Sequence, residues 1–277
     1  MFLRLKNLSE VRKNISTSAK AWAESGLTPD THVYSQRGEL ELKIDVYRAP
    51  DAGDAVQPLI IYLHGGGWRF GHRRVVESAF IAQVKRGFTL ASITYTLVPG
   101  AVWPAQIEDV NTGIDWLRAN ADMLKIDADR ICLTGASAGG QLALLAGLTR
   151  KDMQGVLAFY PPSDFNKMHD RGIIVRSNFS QLFGKPLKES GDIMREASPL
   201  SHVHKDAPPI LIVHGTGDHF VHYPQSVRFV EALQALGADA SLLTLHGAVH
   251  ADQRLNGPEA RPTIDAFLER VLTSEVS

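Results

Sequence analysis

An α/β architecture, with a mostly parallel central sheet flanked by helices, is the fold class this sequence predicts. Three observations carry the prediction. Unbroken apolar runs of strand length recur along the chain, helical segments stand between them, and glycine-rich turns follow several of the runs. Strands covered on both faces look like this, whereas a strand with one wet face alternates. Alternating strand and helix calls for a layered α/β domain with right-handed crossovers.

The elements follow in chain order. Leu5, Leu8, Val11, Ile15, Ala19 and Trp22 recur at steps of three and four, which places them on one helical face. An amphipathic helix is therefore expected over residues 1–25, covering core or packing over the mouth of a site. Leu40, Leu42, Ile44 and Val46 alternate with Glu41, Lys43 and Asp45, the period of a half-exposed strand at a sheet edge. Buried strands are expected at 59–63, 88–93, 131–133, 156–160, 210–213 and 242–245. Helices are expected at 75–85, 106–119, 138–148, 224–236 and 258–272. Residues 161–208 break the rhythm with Phe165, Met168, Ile173, Ile174, Phe179, Leu182 and Phe183 among polar residues, and read as a short lid or insertion. The length suits one domain spanning 1–277.

Composition narrows the function. Lys plus Arg is 29 and Asp plus Glu is 30, so no basic excess marks a nucleic-acid partner. A single cysteine, Cys132, excludes an intrachain disulfide and a cysteine zinc cluster. Inside an apolar run it reads as a buried thiol. Arg4 and Lys6 interrupt the first apolar residues, so no signal peptide forms, and no apolar run reaches the ~18 residues a membrane helix needs. A cytoplasmic location without membrane association is expected. The 11 histidines show no H-E-x-x-H spacing, so neither a metal nor another cofactor is expected. A homodimer is compatible with the sequence.

The chemistry lies in the turns. Residues 130–134 lead into Gly135-Ala136-Ser137-Ala138-Gly139-Gly140, and an Ala/Leu-rich helix follows. G-x-S-x-G between strand and helix puts a serine on a strained turn above the sheet, with helix N-terminal amides aimed at the reacting centre. Ser137 is the predicted nucleophile. The strand 59–63 runs into His64-Gly65-Gly66-Gly67-Trp68, whose glycines allow backbone N–H groups to approach a ligand oxygen. Gly66 and Gly67, joined by Ala138, are the predicted oxyanion donors, and His64 is expected to order the loop. Trp68 lines the pocket or packs beneath the loop. Past the strand 210–213, His214-Gly215-Thr216-Gly217-Asp218 offers a carboxylate at the same rim. Past the last strand, His246-Gly247-Ala248-Val249-His250 offers a base. Asp218 is the predicted acid and His250 the predicted base, with His246 as its rival. His219 is a candidate for substrate contact. Phe165, Phe179, Phe183 and Trp103 are candidates for pocket walls.

Together these residues resemble the α/β-hydrolase superfamily. Within it the chain is similar to the alpha/beta-hydrolase_3 and BD-FAE-like esterases, relatives of hormone-sensitive lipases and kynurenine formamidases. HGGGW at 64–68, WPAQIEDV at 103–110, GASAGG at 135–140, ASPLSHV at 197–203 and PPILIVHGTGDHFV at 208–221 carry the resemblance. Ala136 stands where lipase-like relatives often have Asp, and Ala251-Asp252 follow His250 in place of the common Gly-Phe. The resemblance implies an α/β-hydrolase fold and a serine carboxylesterase acting on small esters, short-chain acyl or carbohydrate-linked. An arylformamidase acting on N-formylkynurenine is the second reading. A non-catalytic receptor on the same fold is the third. In a catalytic reading the base protonates in acid, near an ordinary imidazole pKa of ~6.5.

Overall fold

A computed structural model describes residues 2–167 and 179–273. The chain opens with helix α1 (Phe2–Ser25), followed by strands β1 (Asp30–Arg37), β2 (Leu40–Tyr47) and β3 (Gln57–Leu63). Next come α2 (Ala79–Lys85), β4 (Thr89–Ile93), α3 (Ala105–Ala119), the short α4 (Ala121–Leu124), β5 (Ile126–Ala136) and α5 (Ala138–Thr149). The second half carries β6 (Gly155–Phe159), β7 (Ile210–Gly215) and β8 (Ala240–Leu245), with helices Pro224–Ala235 and Arg261–Thr273 packed alongside. The sheet order is β1-β2-β4-β3-β5-β6-β7-β8. β1, β2 and β4 pair antiparallel, and every pairing from β4 through β3 to β8 is parallel. This is an α/β-hydrolase fold.

β3 shows why the parallel strands are unbroken apolar runs. Leu59, Ile61 and Leu63 face one core cluster, while Ile60 and Tyr62 face the other. Successive side chains point to opposite faces, and helices cover both. Each fully buried Leu or Ile contributes roughly 2 kcal/mol of transfer free energy. Cys132 sits fully buried in β5, and burial pushes its thiol well above the ordinary range.

The edge of the sheet differs from the expectation. β2 is not an edge strand, because β1 pairs outside it. β1 is mostly polar and exposed, so no apolar pattern announces it. Nor does Asp45 face water. It is fully buried, taking Thr31 Oγ1 and Arg73 Nε at 2.7 Å each on one carboxylate oxygen and Arg74 Nε at 3.4 Å on the other. Three donors replace the hydration that burial removes. Helix α2 also starts later than expected. Residues 75–78 lie outside the helix, and the Val76 carbonyl accepts from Trp22 Nε1 of α1 at 3.0 Å.

Trp22 anchors α1 with its ring 4.7 Å from Tyr47, while Ala19 is exposed. Leu5, Leu8 and Val11 of the predicted face lie outside the residues whose side chains are described, as do Met168, Ile173 and Ile174 of the insertion. The described parts of 161–208 pack firmly. Leu182, Phe183 and Ala197 belong to the core, and Gln225 Oε1 accepts from the Ser163 and Asp164 amides at 3.0 and 2.8 Å. Among the described residues, no helix is long and apolar enough to cross a membrane.

β3 and β5 are neighbours at the sheet centre, and the chain leaves them toward opposite sides of the sheet order. Ligands of open α/β sheets bind beyond the strand ends at such a switch point. Helix α5 lies tight against this junction. A Cβ on Gly139 would sit 2.0 Å from the Leu63 carbonyl oxygen, so only glycine permits the approach.

Candidate active site

Ser137 joins β5 to α5 with φ 53° and ψ −115°, a backbone conformation that a non-glycine residue holds only under constraint. Its amide donates to the Phe159 carbonyl at 2.9 Å, and its own carbonyl accepts from Gln141 at 3.0 Å. These bonds hold the turn from both sides. Ala138 is the first residue of α5, so its N–H has no carbonyl one turn earlier to donate to.

Three side chains from three strand ends meet here. Ser137 Oγ lies 3.0 Å from His250 Nε2. His250 Nδ1 lies 2.6 Å from Asp218 Oδ2 and donates to it. The other carboxylate oxygen, Oδ1, accepts from the Phe220 and Val221 amides at 2.8 and 2.9 Å. Burial alone would raise the Asp218 pKa. The adjacent His250 and His214 outweigh it and hold the carboxyl well below its usual range. His250 is held between two rings, Tyr160 at 4.6 Å and Phe220 at 5.5 Å, both edge-on. Its loop is fastened by Asp252, which accepts from the Val249 and Arg254 amides. His246, the rival base, is exposed on the loop and has no such partners among these residues.

The glycine loop is built around His64. That ring is buried, donates from Nδ1 to the Gly65 carbonyl at 2.9 Å, and stacks on Tyr95 at 4.4 Å. Tyr95 in turn donates its hydroxyl to the His64 carbonyl at 2.8 Å. Burial lowers the His64 pKa to about 4, so the ring is neutral near pH 7. Gly66 has φ +126°, and a Cβ there would meet the Phe70 carbonyl oxygen at 2.0 Å. The loop can therefore turn only with glycine.

Trp68 does both things the sequence left open. Its Nε1 donates to Gln141 Oε1 at 3.1 Å, tying the loop to α5, and it also lines the pocket. The pocket has a volume of about 360 Å³ and is mainly apolar. Gly66, Gly67, Ser137 and His250 stand in its wall together with Trp68 and Phe179. Other predicted wall residues are elsewhere. Phe165 and Phe183 pack edge-to-face in the core, 5.5 Å apart. Trp103 is buried and donates to Glu196. His219 is exposed, and its neighbours Phe220 and Val221 take the place in the wall expected for it.

A family model described as BD-FAE matches residues 44–233. The chain belongs to the BD-FAE family. Among curated relatives, Esterase LipC of Mycobacterium tuberculosis is 32% identical over 252 residues, covering 82% of this chain and 62% of LipC. Esterase LipQ of the same organism is 31% identical over 233 residues, covering 77% of this chain and 55% of LipQ. The chain thus spans only about three-fifths of the length of these relatives. A solved structure described as a truncated form of a carbohydrate esterase from gut microbiota has TM-score 0.79 and 25% identity, over 89% of this chain and 98% of that one. Esterase Est2 of Thermogutta terrifontis, at TM-score 0.72 and 21% identity over 92% and 96%, shows the shared fold.

Some members of this BD-FAE-family site escaped the sequence reading. Ile15 of α1, Glu77, Tyr160 and Phe220 all stand in the pocket wall. Tyr160 Oη donates to Glu77 Oε1 at 3.4 Å, and Asn256 Nδ2 donates to Glu77 Oε2. Glu77 and Asn256 are far apart in sequence, so no local pattern links them. Tyr160 did carry a signal, since it directly follows a buried strand whose end faces the same rim. Among the described residues, no cluster of three or more His, Cys, Asp or Glu side chains is arranged to hold a metal.

Proposed function

We propose that this chain is a serine hydrolase that cleaves small carboxylic esters through an acyl-enzyme. One observation carries the reading: Ser137 Oγ, His250 and Asp218 form a continuous hydrogen-bonded line of 3.0 and 2.6 Å. His250 accepts the Ser137 Oγ proton at Nε2 as Oγ attacks the ester carbonyl. Asp218 keeps the proton on Nδ1 and stabilises the imidazolium that forms. Gly66, Gly67 and Ala138 donate N–H groups to the oxyanion, each donor supplying roughly 10²–10³ in rate. His250 then gives its proton to the departing alcohol. Water enters the same cycle and releases the acid.

The pocket size supports a short acyl or carbohydrate-linked ester. Relatives named esterases point the same way, as does the carbohydrate esterase among the similar structures. A receptor would keep the pocket and lose the base, whereas here His250 touches Ser137. The lone buried cysteine fits a cytoplasmic setting.

Ser137→Ala is expected to abolish hydrolysis of 4-nitrophenyl acetate and labelling by a fluorophosphonate probe. Wild-type turnover in that variant would reject the reading. Faster turnover of N-formylkynurenine than of aryl acetates would replace it with the formamidase.

A further inference from the structure

His214 is the penultimate residue of β7, is fully buried, and takes no part in the steps above. Its Nε2 lies 3.1 Å from Asp218 Oδ2 and 3.0 Å from the Val221 carbonyl oxygen. Both partners are acceptors, so Nε2 carries a hydrogen whatever the charge on the ring. Its Nδ1 lies 2.7 Å from Ser226 Oγ on the helix Pro224–Ala235. A hydroxyl can donate or accept, so it fits this nitrogen in either form. The ring is fixed at both ends.

The consequence falls on Asp218. Its Oδ2 receives two imidazole N–H groups, from His250 at 2.6 Å and from His214 at 3.1 Å. Its Oδ1 is filled by the two amides. We propose that His214 is a positioning residue for this reaction: it holds Oδ2 in line with His250 Nδ1 and draws off part of the carboxylate charge that His250 feels. Both effects follow from one N–H. A carboxylate deprived of that donor is freer to rotate, which slows proton transfer. It also carries more charge toward His250, which favours the imidazolium and keeps the base protonated to higher pH.

The other titratable groups around the pair come from three further elements. Tyr160 follows β6 and faces His250, with Glu77 behind its hydroxyl. Tyr223, beside the Pro224 helix, faces His214 edge-on at 5.8 Å. Burial keeps the Tyr160 phenol well above its ordinary pKa. The Leu and Gln variants both keep these three groups, so a limb that moves in the Leu variant and returns in the Gln variant reports the donor.

The inference rests on the Ser137–His250–Asp218 reading, and the experiment separates the two. The pH dependence of kcat/KM is measured with 4-nitrophenyl butyrate for the wild type and for His214→Leu, His214→Gln and Ser226→Ala. For His214→Leu, kcat falls about 10- to 100-fold, the scale of one hydrogen bond to a charged group. Its acid limb moves to higher pH by about half a unit or more. His214→Gln brings an amide N–H to the place of Nε2 and restores most of kcat and the wild-type limb. Ser226→Ala moves the limb the same way by less. If the Leu variant is not recovered folded, His214→Asn replaces it, because its shorter amide does not reach Asp218. An unmoved limb in the Leu or Asn variant, or a Gln variant no better than it, overturns the proposal. An inactive wild type overturns the triad reading instead.

Discussion

His64 and His250 both follow the C-terminal ends of parallel strands on one rim of the sheet, yet their surroundings are opposite. His64 meets a carbonyl and an aromatic face and is sealed from water. His250 meets a carboxylate on one nitrogen and a hydroxyl on the other, and it reaches the pocket. A ring that must carry a proton needs a countercharge for the cation and an open path to the substrate. A ring that must hold a loop needs neither, and burial then keeps it neutral. Residue type and strand-end position are shared, so the difference lies in the partners alone.

The strongest way to break this comparison is to remove each ring. His250→Ala is expected to lower kcat by at least ~10⁴-fold, because base and acid are lost together. His64→Ala is expected to cost about 10²-fold, through misplaced oxyanion donors, with the pH profile of the remaining activity unchanged. Steady-state kinetics on 4-nitrophenyl acetate checks both, with far-UV circular dichroism as the control for folding. Equal losses would mean that the two sites are not distinct.

Stability against pH sharpens the contrast. His64 has a folded-state pKa of about 4, below the ordinary 6.5. Between those values the unfolded chain binds a proton that the folded chain refuses, so stability falls as pH drops from about 6.5 to about 4. Across the full window the loss is roughly 3 kcal/mol. Asp218 acts in a lower window. Its folded pKa is depressed, so its contribution is complete above the ordinary carboxylate value and is lost as pH falls below it. Urea unfolding midpoints at pH 7 and pH 4.5 should differ in the wild type, and His64→Gln should flatten that difference. The smallest effect is expected from Trp68→Phe, which leaves Gln141 Oε1 without its donor and costs about 1 kcal/mol. A thermal melt reads it.

The parallel strands were legible because each is buried on both faces and had to be apolar throughout. The convergence of Ser137, Asp218 and His250 was legible for a related reason: each follows a strand end, and parallel strands deliver their ends to one rim. β1 was not legible, because an edge strand pairs through its backbone and needs little apolar surface. Asp45 misled the alternation. Its partners Arg73 and Arg74 come from a loop that no local period connects to β2. The pocket wall was read only in part. An aromatic in an insertion packs the core or lines a cavity with the same side chain, and only three-dimensional placement separates Phe179 from Phe165 and Phe183.

Ile15 stands in the pocket wall although it belongs to the first helix. That part of the wall comes from a helix outside the sheet, so it can be trimmed without touching a strand end. Ile15→Ala removes apolar surface from the pocket at that point, and comparing the variant with the wild type on esters of different acyl length shows how far the first helix shapes the choice of substrate.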